Sequence, residues 1–426
     1  MYASSWYLYV LYTIRPEIAR DFAKFLYIPR VACYNIMKES NENRRGNTAM
    51  NHPQTRILTH PYRAGQRILV TSDIHGHPDH LRRVLAMADF CPDDHLVIVG
   101  DIVEKGPDSL GALRYVTELC ARGNATALIG NVDAYRLHMI DTLCADNAED
   151  FYRYLCELRD WCGSSFYEEM ARECGYLLTS ADDVLAAKDA VITHFAPELA
   201  FLASLPTILS LGNYVFVHGG LRYETLADNA DCGIFPLTKY DNFAQTTPHR
   251  FPDWVVCGHW PTALYSDTVQ QFNPVFEWNK HIISIDGGCG IKREGQLNLL
   301  ILPDAHCSTD EISHIHYDTL RKIRALDAQT ESTDSVHINW VNNEIRLLSR
   351  GEEFSEIEHL YSGKRLSVPT KYLFSDTACR DYTDRKLGVR PGDILSLYRV
   401  TSRGCIVKSN GRMGWYCGAY EELPSA

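Results

Sequence analysis

Six short apolar runs in the chain each end close to a side chain that can bind a metal ion. The runs are contained in ILVTSD, LVIVGD, ALIGN, YVFVHGG, WVVCGH and IISIDGG. Continuous apolar runs of this length are typical of buried parallel strands. Because ligands collect beyond the carboxyl ends of strands in open α/β sheets, we expect one convergent polar site. The residues at these strand ends are Asp73, Asp101, Asn131, His218, His259 and Asp286.

Segments with helical periodicity, such as HLRRVLAMADF and SLGALRYVTELCARG, lie between these runs. Alternation of strands and helices predicts an α/β domain with a largely parallel sheet over residues 66–303. Within it, residues 134–190 are rich in aromatic and charged residues and have no metal-ligand strand. They predict a helical insertion, a lid or cap between Asn131 and His218.

The remaining chain divides into three further segments. Residues 1–65 are interpreted as an N-terminal extension, and we expect Met50 to be the natural start. Residues 304–334 are polar and irregular, with one short helical patch, which indicates a linker. In residues 335–426, short β-type runs alternate with turn signals, which predicts a small β-barrel.

Composition narrows the classes of function. The chain has 426 residues, 45% of them hydrophobic and 23% charged, which is typical of a globular protein of two or three domains. A net charge of −12 argues against a general binder of nucleic acid or membrane surfaces. The 14 cysteines have no regular spacing, and the apolar N-terminus is too short to span a bilayer, so we expect a reduced, cytoplasmic protein.

The residues at the strand ends suit a metal centre. Asp73 and His75 stand two residues apart, so both can turn toward one ion, and the Asp101 carboxylate can bridge two ions. The remaining ligands in this interpretation are Asn131, His218 and His259. Mixed oxygen and nitrogen ligands favour Mn²⁺, Fe or Zn²⁺. Two ions about 3.5–4 Å apart are typical of phosphoester hydrolysis. Asp286 is interpreted as part of a turn.

The motifs SDIHG, GDIVEKG, GNVD, VHGG and GHWPT resemble those of the calcineurin-like metallophosphoesterases. The resemblance covers about residues 66–303 and is strongest to the phosphoprotein phosphatases and symmetrical diadenosine tetraphosphatases. It implies a four-layer sandwich, in which two mixed β-sheets pack face to face between helices. The implied ligands of the first metal ion are Asp73, His75 and Asp101. The implied ligands of the second are Asp101, Asn131, His218 and His259.

Two motifs depart from the family pattern. Lys105 stands where the family has an arginine that holds a phosphate oxygen; it keeps the charge but loses the bidentate fork. Val132 stands where a histidine protonates the leaving group, and Glu104 replaces the aspartate that pairs with that histidine. Either another histidine, such as His77 or His194, supplies the proton, or the leaving group needs little help, as nucleotide phosphates and aryl oxides do.

Two further segments suggest binding functions. In FPLTKYDNF, Lys239 is a candidate second cation for the substrate phosphate, or a solvated surface lysine. The last 90 or so residues resemble a bacterial SH3-like barrel. Its Trp415 and Tyr416 would form a groove for a peptide or protein partner, or belong to the core.

Three functional hypotheses follow. The favoured one is hydrolysis of phosphate monoesters, on phosphoproteins or small molecules, by a hydroxide that bridges two divalent ions, with Mn²⁺ preferred. In it Asp101 and His77 are the catalytic candidates, and Lys105 and Lys239 bind the phosphate. The second is a nucleotide hydrolase of the diadenosine tetraphosphatase type, suggested by GHWPT. The third is a non-catalytic metal-binding scaffold, suggested by Val132.

Overall fold

Two β-sheets packed face to face form the centre of the structure, a computed structural model that describes residues 55–424. Most of the predicted N-terminal extension, including the expected start at Met50, lies outside the described residues. From the rest of that extension, strand β1 (Ile57–Thr59) pairs in parallel with β5 (Ile208–Leu211) at the edge of one sheet.

The first sheet has five strands in the order β11-β10-β2-β3-β4. They are β2 (Ile68–Thr71), β3 (His95–Val99), β4 (Ala125–Leu128), β10 (Leu297–Leu302) and β11 (Ser313–Tyr317). Strands β2, β3 and β4 run parallel, whereas β10 is antiparallel to β2 and β11 is antiparallel to β10. The carboxyl ends of β2, β3 and β4 therefore share one edge of the sheet.

The second sheet has six strands in the order β1-β5-β6-β7-β9-β8. Besides β1, they are β5 (Ile208–Leu211), β6 (Tyr214–Val217), β7 (Trp254–Cys257), β8 (Val275–Glu277) and β9 (Ile282–Ser284). Strands β6, β7 and β9 run parallel, while β5 and β8 are antiparallel to their neighbours β6 and β9. The prediction of a largely parallel sheet is therefore wrong. The two mixed sheets implied by the family resemblance are confirmed.

The main hydrophobic core lies between the two sheets. It uses alternate strand positions, such as Val97 and Val99 in one sheet and Tyr214 and Phe216 in the other, because successive side chains of a strand face opposite sides. Helices cover the outer faces. Those over the sheets are α1 (Pro78–Met87), α2 (Ser109–Ala121), α8 (Leu226–Asn229), α9 (Ile234–Thr238) and α10 (Phe243–Thr246). This arrangement is the predicted four-layer α/β sandwich.

A helical segment between β4 and β5 occupies the region of the predicted insertion. Its helices are α3 (Asn131–Thr142), α4 (Ala148–Cys162), α5 (Phe166–Glu173), α6 (Ala181–His194) and α7 (Ala196–Ser204). Glu169 of α5 accepts hydrogen bonds from the backbone amides of Ser109 and Leu110, at 3.0 and 2.8 Å. Its carboxylate therefore satisfies two free donors at the start of α2. No helix within residues 55–424 is long and apolar enough to cross a membrane.

The segment predicted as an irregular linker contains two strands. Strand β11 pairs with β10 of the five-stranded sheet. Strand β12 (Arg321–Ala325) pairs with β18 (Ile394–Thr401) and β21 (Tyr420–Glu422) nearer the C-terminus. The expectation of irregular structure is therefore wrong. The segments SHIHY and RKIRA are strands, but they are polar and bury little apolar surface, so their sequences do not show the apolar pattern of a buried strand. Only Ile323 and Ala325 of β12 are fully buried apolar residues. The domain boundaries themselves stay predictions.

The C-terminal region, residues 321–424, is rich in strands. Its largest sheet has the order β20-β19-β18-β12-β21, and every neighbouring pair is antiparallel. A three-stranded sheet (β14-β15-β16) and a pair (β13-β17) complete it. Its remaining strands are β13 (His337–Ile338), β14 (Ile345–Ser349), β15 (Phe354–His359), β16 (Arg365–Pro369), β17 (Tyr382–Thr383), β18 (Ile394–Thr401), β19 (Gly404–Ser409), β20 (Arg412–Tyr416) and β21 (Tyr420–Glu422).

Trp415 and Tyr416 are buried, with 8% and 0% of their surface exposed. The Trp415 indole donates to the backbone carbonyl of Thr383 at 2.9 Å, and the Tyr416 hydroxyl donates to that of Ala419 at 2.8 Å. These two aromatic residues therefore belong to the core rather than to an exposed groove. The SH3-like barrel and its partner stay predictions.

The C-terminal region shares a core with the sandwich. Ala263 and Phe272 pack in one cluster with C-terminal residues such as Ile338 and Trp415. Backbone hydrogen bonds cross the same boundary: Phe272 N donates to Gly411 O, and Met413 N donates to Gln270 O, both at 2.8 Å. The two parts should therefore unfold together.

We expect Phe272→Ala to destabilise the whole chain by about 3–5 kcal/mol, because it opens a cavity in this shared core. Urea unfolding followed by circular dichroism measures the effect, and Leu348→Ala, at a position 42% exposed, is the control, with an effect within about 0.5 kcal/mol. Two separate unfolding transitions in the wild-type protein would contradict a shared core.

Candidate metal centre

The carboxyl ends of five strands, three from one sheet and two from the other, bring the predicted ligands together. Asp73 and His75 follow β2, Asp101 follows β3, and Asn131, the first residue of α3, is the third residue after β4. From the second sheet, the residue after β6 is His218 and the second residue after β7 is His259. The sequence predicts that these residues lie at strand ends, because a polar side chain just after a buried apolar run marks the end of the strand.

Asp73, His75 and Asp101 form one group of candidate metal ligands. One donor atom from each lies within 4.8 Å of the other two, and all three side chains are buried. Nε2 of His75 is 3.5 Å from Oδ2 of Asp101 and 3.9 Å from Oδ1 of Asp73. Oδ1 of Asp73 is buried and has no hydrogen-bond partner among the described residues. A buried oxygen without a partner is costly, and a cation would satisfy it.

A second group faces the other oxygen of Asp101. Nε2 of His218 lies 3.4 Å from Oδ1 of Asp101 and 3.0 Å from Oδ1 of Asn131. Nδ1 of His218 donates to the backbone carbonyl of Val99 at 2.7 Å, which directs Nε2 toward this group. The His259 ring centre is 5.4 Å from that of His218. The two oxygens of Asp101 are thus divided between two sets of donors, the arrangement that a bridging carboxylate requires.

Burial opposes charge on several side chains of this centre. It raises the pKa of Asp73 to about 6 and raises the pKa of Asp286 well above its usual range. It also lowers the pKa of His75, which favours the neutral imidazole that binds metals. Asp101 and His218 differ, because each favours the charged form of the other: the pKa of Asp101 is lowered, and that of His218 is raised to about 10. Buried carboxylates and imidazoles gathered in this way fit divalent cations, because a bound cation offsets the cost of burying carboxylate charge.

The backbone at the centre is strained. Ten described residues other than glycine have a positive φ, and six of them belong to the centre or its loops. Those six are Asp73, His75, Asp101, Glu104, Lys105 and His259. Such conformations cost about 1–3 kcal/mol each and cluster at functional sites.

The two lysines proposed for substrate binding lie at different ends of the centre. Nζ of Lys105 is 3.2 Å from Nε2 of His75, and Nζ of Lys239 is 3.3 Å from Nε2 of His259. Lys239 also pairs with Asp241, whose Oδ1 lies 2.7 Å from the same His259 nitrogen. Sequence reasoning missed Asp241, although it stands only two residues after Lys239.

His77 lies beside the centre rather than in it. Its Nδ1 donates to the backbone carbonyl of His75 at 2.6 Å, and its ring contacts His80 with centres 4.8 Å apart. His194 is exposed, and its Nε2 lies 3.8 Å from Oε1 of Glu173 on the surface of the insertion. A role in proton transfer stays a prediction for both histidines. Asp286 accepts from Gly288 N at 2.7 Å, which fits the expected turn.

The space beside Val132 is bordered by a buried ion pair that sequence reasoning missed. Nε of Arg136 lies 2.7 Å from Oε2 of Glu104, and both side chains are at most 6% exposed. Arg136 also bonds to the Tyr154 hydroxyl of α4. Because Arg136 follows Val132 by four residues on α3, both lie on one face of the helix. The four-residue spacing was the feature of the sequence that could have placed Arg136 beside Val132.

Asp133 joins the two loops around Asp101. Its Oδ1 accepts from the backbone amides of Ile102 and Val103, at 3.0 and 3.2 Å, and its Oδ2 accepts from Gly130 N at 3.0 Å. The last residue of the GNVD motif is therefore structural. It holds the loop after β3 against the start of α3.

Comparisons with known proteins agree with this architecture. A family model described as Calcineurin-like phosphoesterase matches residues 66–275. The chain is 26% identical over 231 residues to a symmetrical bis(5'-nucleosyl)-tetraphosphatase of Shewanella sp. (strain W3-18-1), covering 45% of this chain and 83% of the relative. It is 40% identical over 231 residues to the protein of the same name from Shewanella sp. (strain MR-4), with the same coverage.

Among solved structures, the chain is similar to a protein serine/threonine phosphatase from Saccharomyces cerevisiae with similarity to human phosphatase PP5. The sequence identity is 14% and the TM-score is 0.37, and the match covers 70% of this chain and 96% of that one.

We expect Mn²⁺ to raise the melting temperature of the wild-type protein and to have little effect on Asp101→Asn. A ligand at 100 times its Kd stabilises the folded state by about 2.7 kcal/mol, and this substitution weakens the shared ligand. Differential scanning fluorimetry with and without EDTA measures the shift. Asp182→Asn, which changes an exposed carboxylate on α6, is the control. An equal shift in Asp101→Asn would contradict the assignment.

We expect Arg136→Met to cost about 3–5 kcal/mol, because it leaves the Glu104 carboxylate buried without its cation. Arg122→Met, which breaks an exposed pair with Glu118, should cost less than about 1 kcal/mol. Urea unfolding compares the two variants. Adding Glu104→Gln to Arg136→Met should restore part of the loss. Equal costs for the two single variants would contradict a buried, interdependent pair.

Proposed function

This chain belongs to the calcineurin-like phosphoesterase family, and we propose that the centre around Asp101 hydrolyses phosphate esters with two divalent metal ions. Membership makes the chain a phosphoester hydrolase. The observation that supports the two-ion proposal is the division of Asp101 between His75, 3.5 Å from one oxygen, and His218, 3.4 Å from the other.

The proposed ligands separate into two sets that share Asp101. The first set is Asp73, His75 and Asp101; the second is Asp101, Asn131, His218 and His259. When bound, divalent ions supply Lewis-acid polarisation of the phosphoryl oxygens and activation of water. Carboxylate, amide and imidazole donors suit Mn²⁺ first, with Fe and Zn²⁺ as alternatives.

Lys105 and Lys239 would bind the substrate phosphate. Their ammonium groups lie at His75 and His259, one at each end of the centre, so a phosphate between them would meet positive charge from two sides. Lysine donates from a point rather than through a planar fork. We therefore propose weaker orientation of the phosphate than an arginine would give.

The leaving group would receive little help from a general acid. Val132 cannot transfer a proton, and the Glu104 carboxylate is held in a buried ion pair with Arg136 at 2.7 Å. Nδ1 of His77 donates its proton to backbone, and burial lowers the pKa of this histidine, so its Nε2 has no proton to give at neutral pH. We propose that the favoured substrates are phosphate monoesters whose leaving group is stable without a proton, such as aryl phosphates.

A second candidate is the hydrolysis of dinucleoside tetraphosphates. Two observations favour it: the curated relatives are named symmetrical bis(5'-nucleosyl)-tetraphosphatases, and a nucleotide leaves as a phosphate that needs no general acid. Both candidates use the same centre, so they differ only in what binds beyond the reacting phosphate.

We expect the Mn²⁺-loaded protein to hydrolyse p-nitrophenyl phosphate or diadenosine tetraphosphate at least about 10²-fold faster than a phosphoserine peptide. The reason is that a general acid contributes about 10²–10⁴ in rate when the leaving group is poor. Steady-state kcat/KM on the three substrates measures this, with Asp101→Asn as the inactive control.

Higher kcat/KM on diadenosine tetraphosphate than on the aryl ester would favour the second candidate. Equal values on all three substrates would contradict the leaving-group argument. Stoichiometric metal without turnover of any ester would contradict the proposed function itself.

A further inference from the structure

The loop from 286 to 296, which joins β9 to β10, lies directly against the proposed metal centre. At Gly290, which has a φ of +72°, an added Cβ would lie 2.8 Å from Cβ of His75 and 3.2 Å from Cε1 of His77. The neighbouring Cys289 is buried, and its thiol donates to the backbone carbonyl of Ile74 at 3.7 Å. Any shift of this 286–296 loop must therefore disturb the segment that carries His75.

The opposite side of the 286–296 loop is held by the C-terminal region. Lys408 of β19 is only 1% exposed, and its Nζ donates to the backbone carbonyls of Glu294 at 2.8 Å and Gly295 at 3.4 Å. Lys292, within the loop, pairs with Asp381 and lies 4.2 Å from the ring centre of Trp340. Two lysines thus connect the loop to C-terminal strands and turns.

These contacts bury charge, which is costly. Nζ of Lys408 lies 2.9 Å from Oδ2 of Asp318, and both side chains are 1% exposed. The side chains of Lys292 and Asp381 are 4% and 14% exposed. Apolar residues of similar size often stabilise as well as a buried ion pair, so such pairs are weak evidence for stability. What these lysines provide is directed hydrogen bonding, which fixes one loop position.

We propose that the C-terminal region positions the 286–296 loop against His75, and that Lys408 and Asp381 are positioning residues of the metal centre. The shared core and the backbone bonds between Phe272 and Gly411 anchor the region on the sandwich. Lys408 and Asp381 then hold the loop from behind. The C-terminal region is accordingly a part of the centre's framework.

Cys289 gives a local readout of this positioning. In the full-length, Mn²⁺-loaded protein, we expect Lys408→Met and Asp381→Asn to increase the alkylation rate of Cys289 by iodoacetamide at least about tenfold. Mass spectrometry of the peptides resolves each thiol. Cys257, in β7 and also buried, should react at the wild-type rate, because the sheet stays folded. Measuring the alkylation rate of Cys289 requires no catalytic turnover.

Two features limit other effects of these substitutions on the Cys289 rate. Lys408→Met leaves Asp318 paired with Lys322, whose Nζ lies 2.8 Å from its Oδ1, and Asp381→Asn is isosteric. Lys364→Met, which breaks an exposed pair with Asp334 in the same region, is the control and should leave Cys289 protected. An unchanged Cys289 rate in both variants, or equal acceleration of Cys257, would overturn the proposal.

A metal titration completes the test. Substitutions behind the ligands of a metal typically cost about 10–100-fold in affinity or activity, so we expect the Mn²⁺ affinity of Lys408→Met, by isothermal titration calorimetry, to fall about tenfold. Wild-type affinity in that variant would overturn the proposal. The Mn²⁺ titration rests on the proposed function, whereas the protection of Cys289 does not, so failure of one is distinguishable from failure of the other.

Discussion

The position of Asp101 is the constraint on which the rest of this structure depends. Its carboxylate lies at the junction of the two sheets, 3.5 Å from His75 and 3.4 Å from His218, and accepts from Val132 N at 2.9 Å. A Cβ at Gly130 would lie 2.1 Å from Oδ1 of Asp101. The glycine before Asn131 is therefore required, because the carboxylate fills the space that any side chain would take.

Holding this carboxylate costs energy that neighbouring contacts offset. Asp101 has a φ of +54°, and burial opposes charge on the neighbouring Asp73 and His75. Asp133 bonds three backbone amides of the adjoining loops, and Arg136 neutralises Glu104. The insertion helices thus contribute to the centre through Arg136 and Tyr154. The C-terminal region contributes from the other side through the 286–296 loop.

Local patterns predicted the strand ends but not their distribution between sheets. An apolar run that ends in Asp73 or His218 indicates a buried strand with a polar residue at its end. Both features depend only on residues that are close in sequence. Whether β2 and β6 share a sheet depends on hydrogen bonds between residues far apart in sequence, and only the family resemblance indicated two sheets. The strands β11 and β12 were missed because their polar side chains conceal the period-2 pattern.

Side-chain partners were the least predictable part of the centre. The charge of Arg136 gave no indication that it would be buried, since arginine is normally exposed, and its bonds to Glu104 and Tyr154 explain the position. The sequence did not distinguish whether Trp415 and Tyr416 line an exposed groove or belong to the core. The tertiary packing of β20 against the sandwich decided for the core.

Anomalous diffraction from crystals of the Mn²⁺-loaded protein tests the central claim most directly. The account predicts two manganese peaks about 4 Å apart, both adjacent to Asp101, one beside Asp73 and His75 and the other beside Asn131, His218 and His259. A single peak, or peaks that do not share Asp101, would contradict the assignment of Asp101 as the bridge between two metal sites.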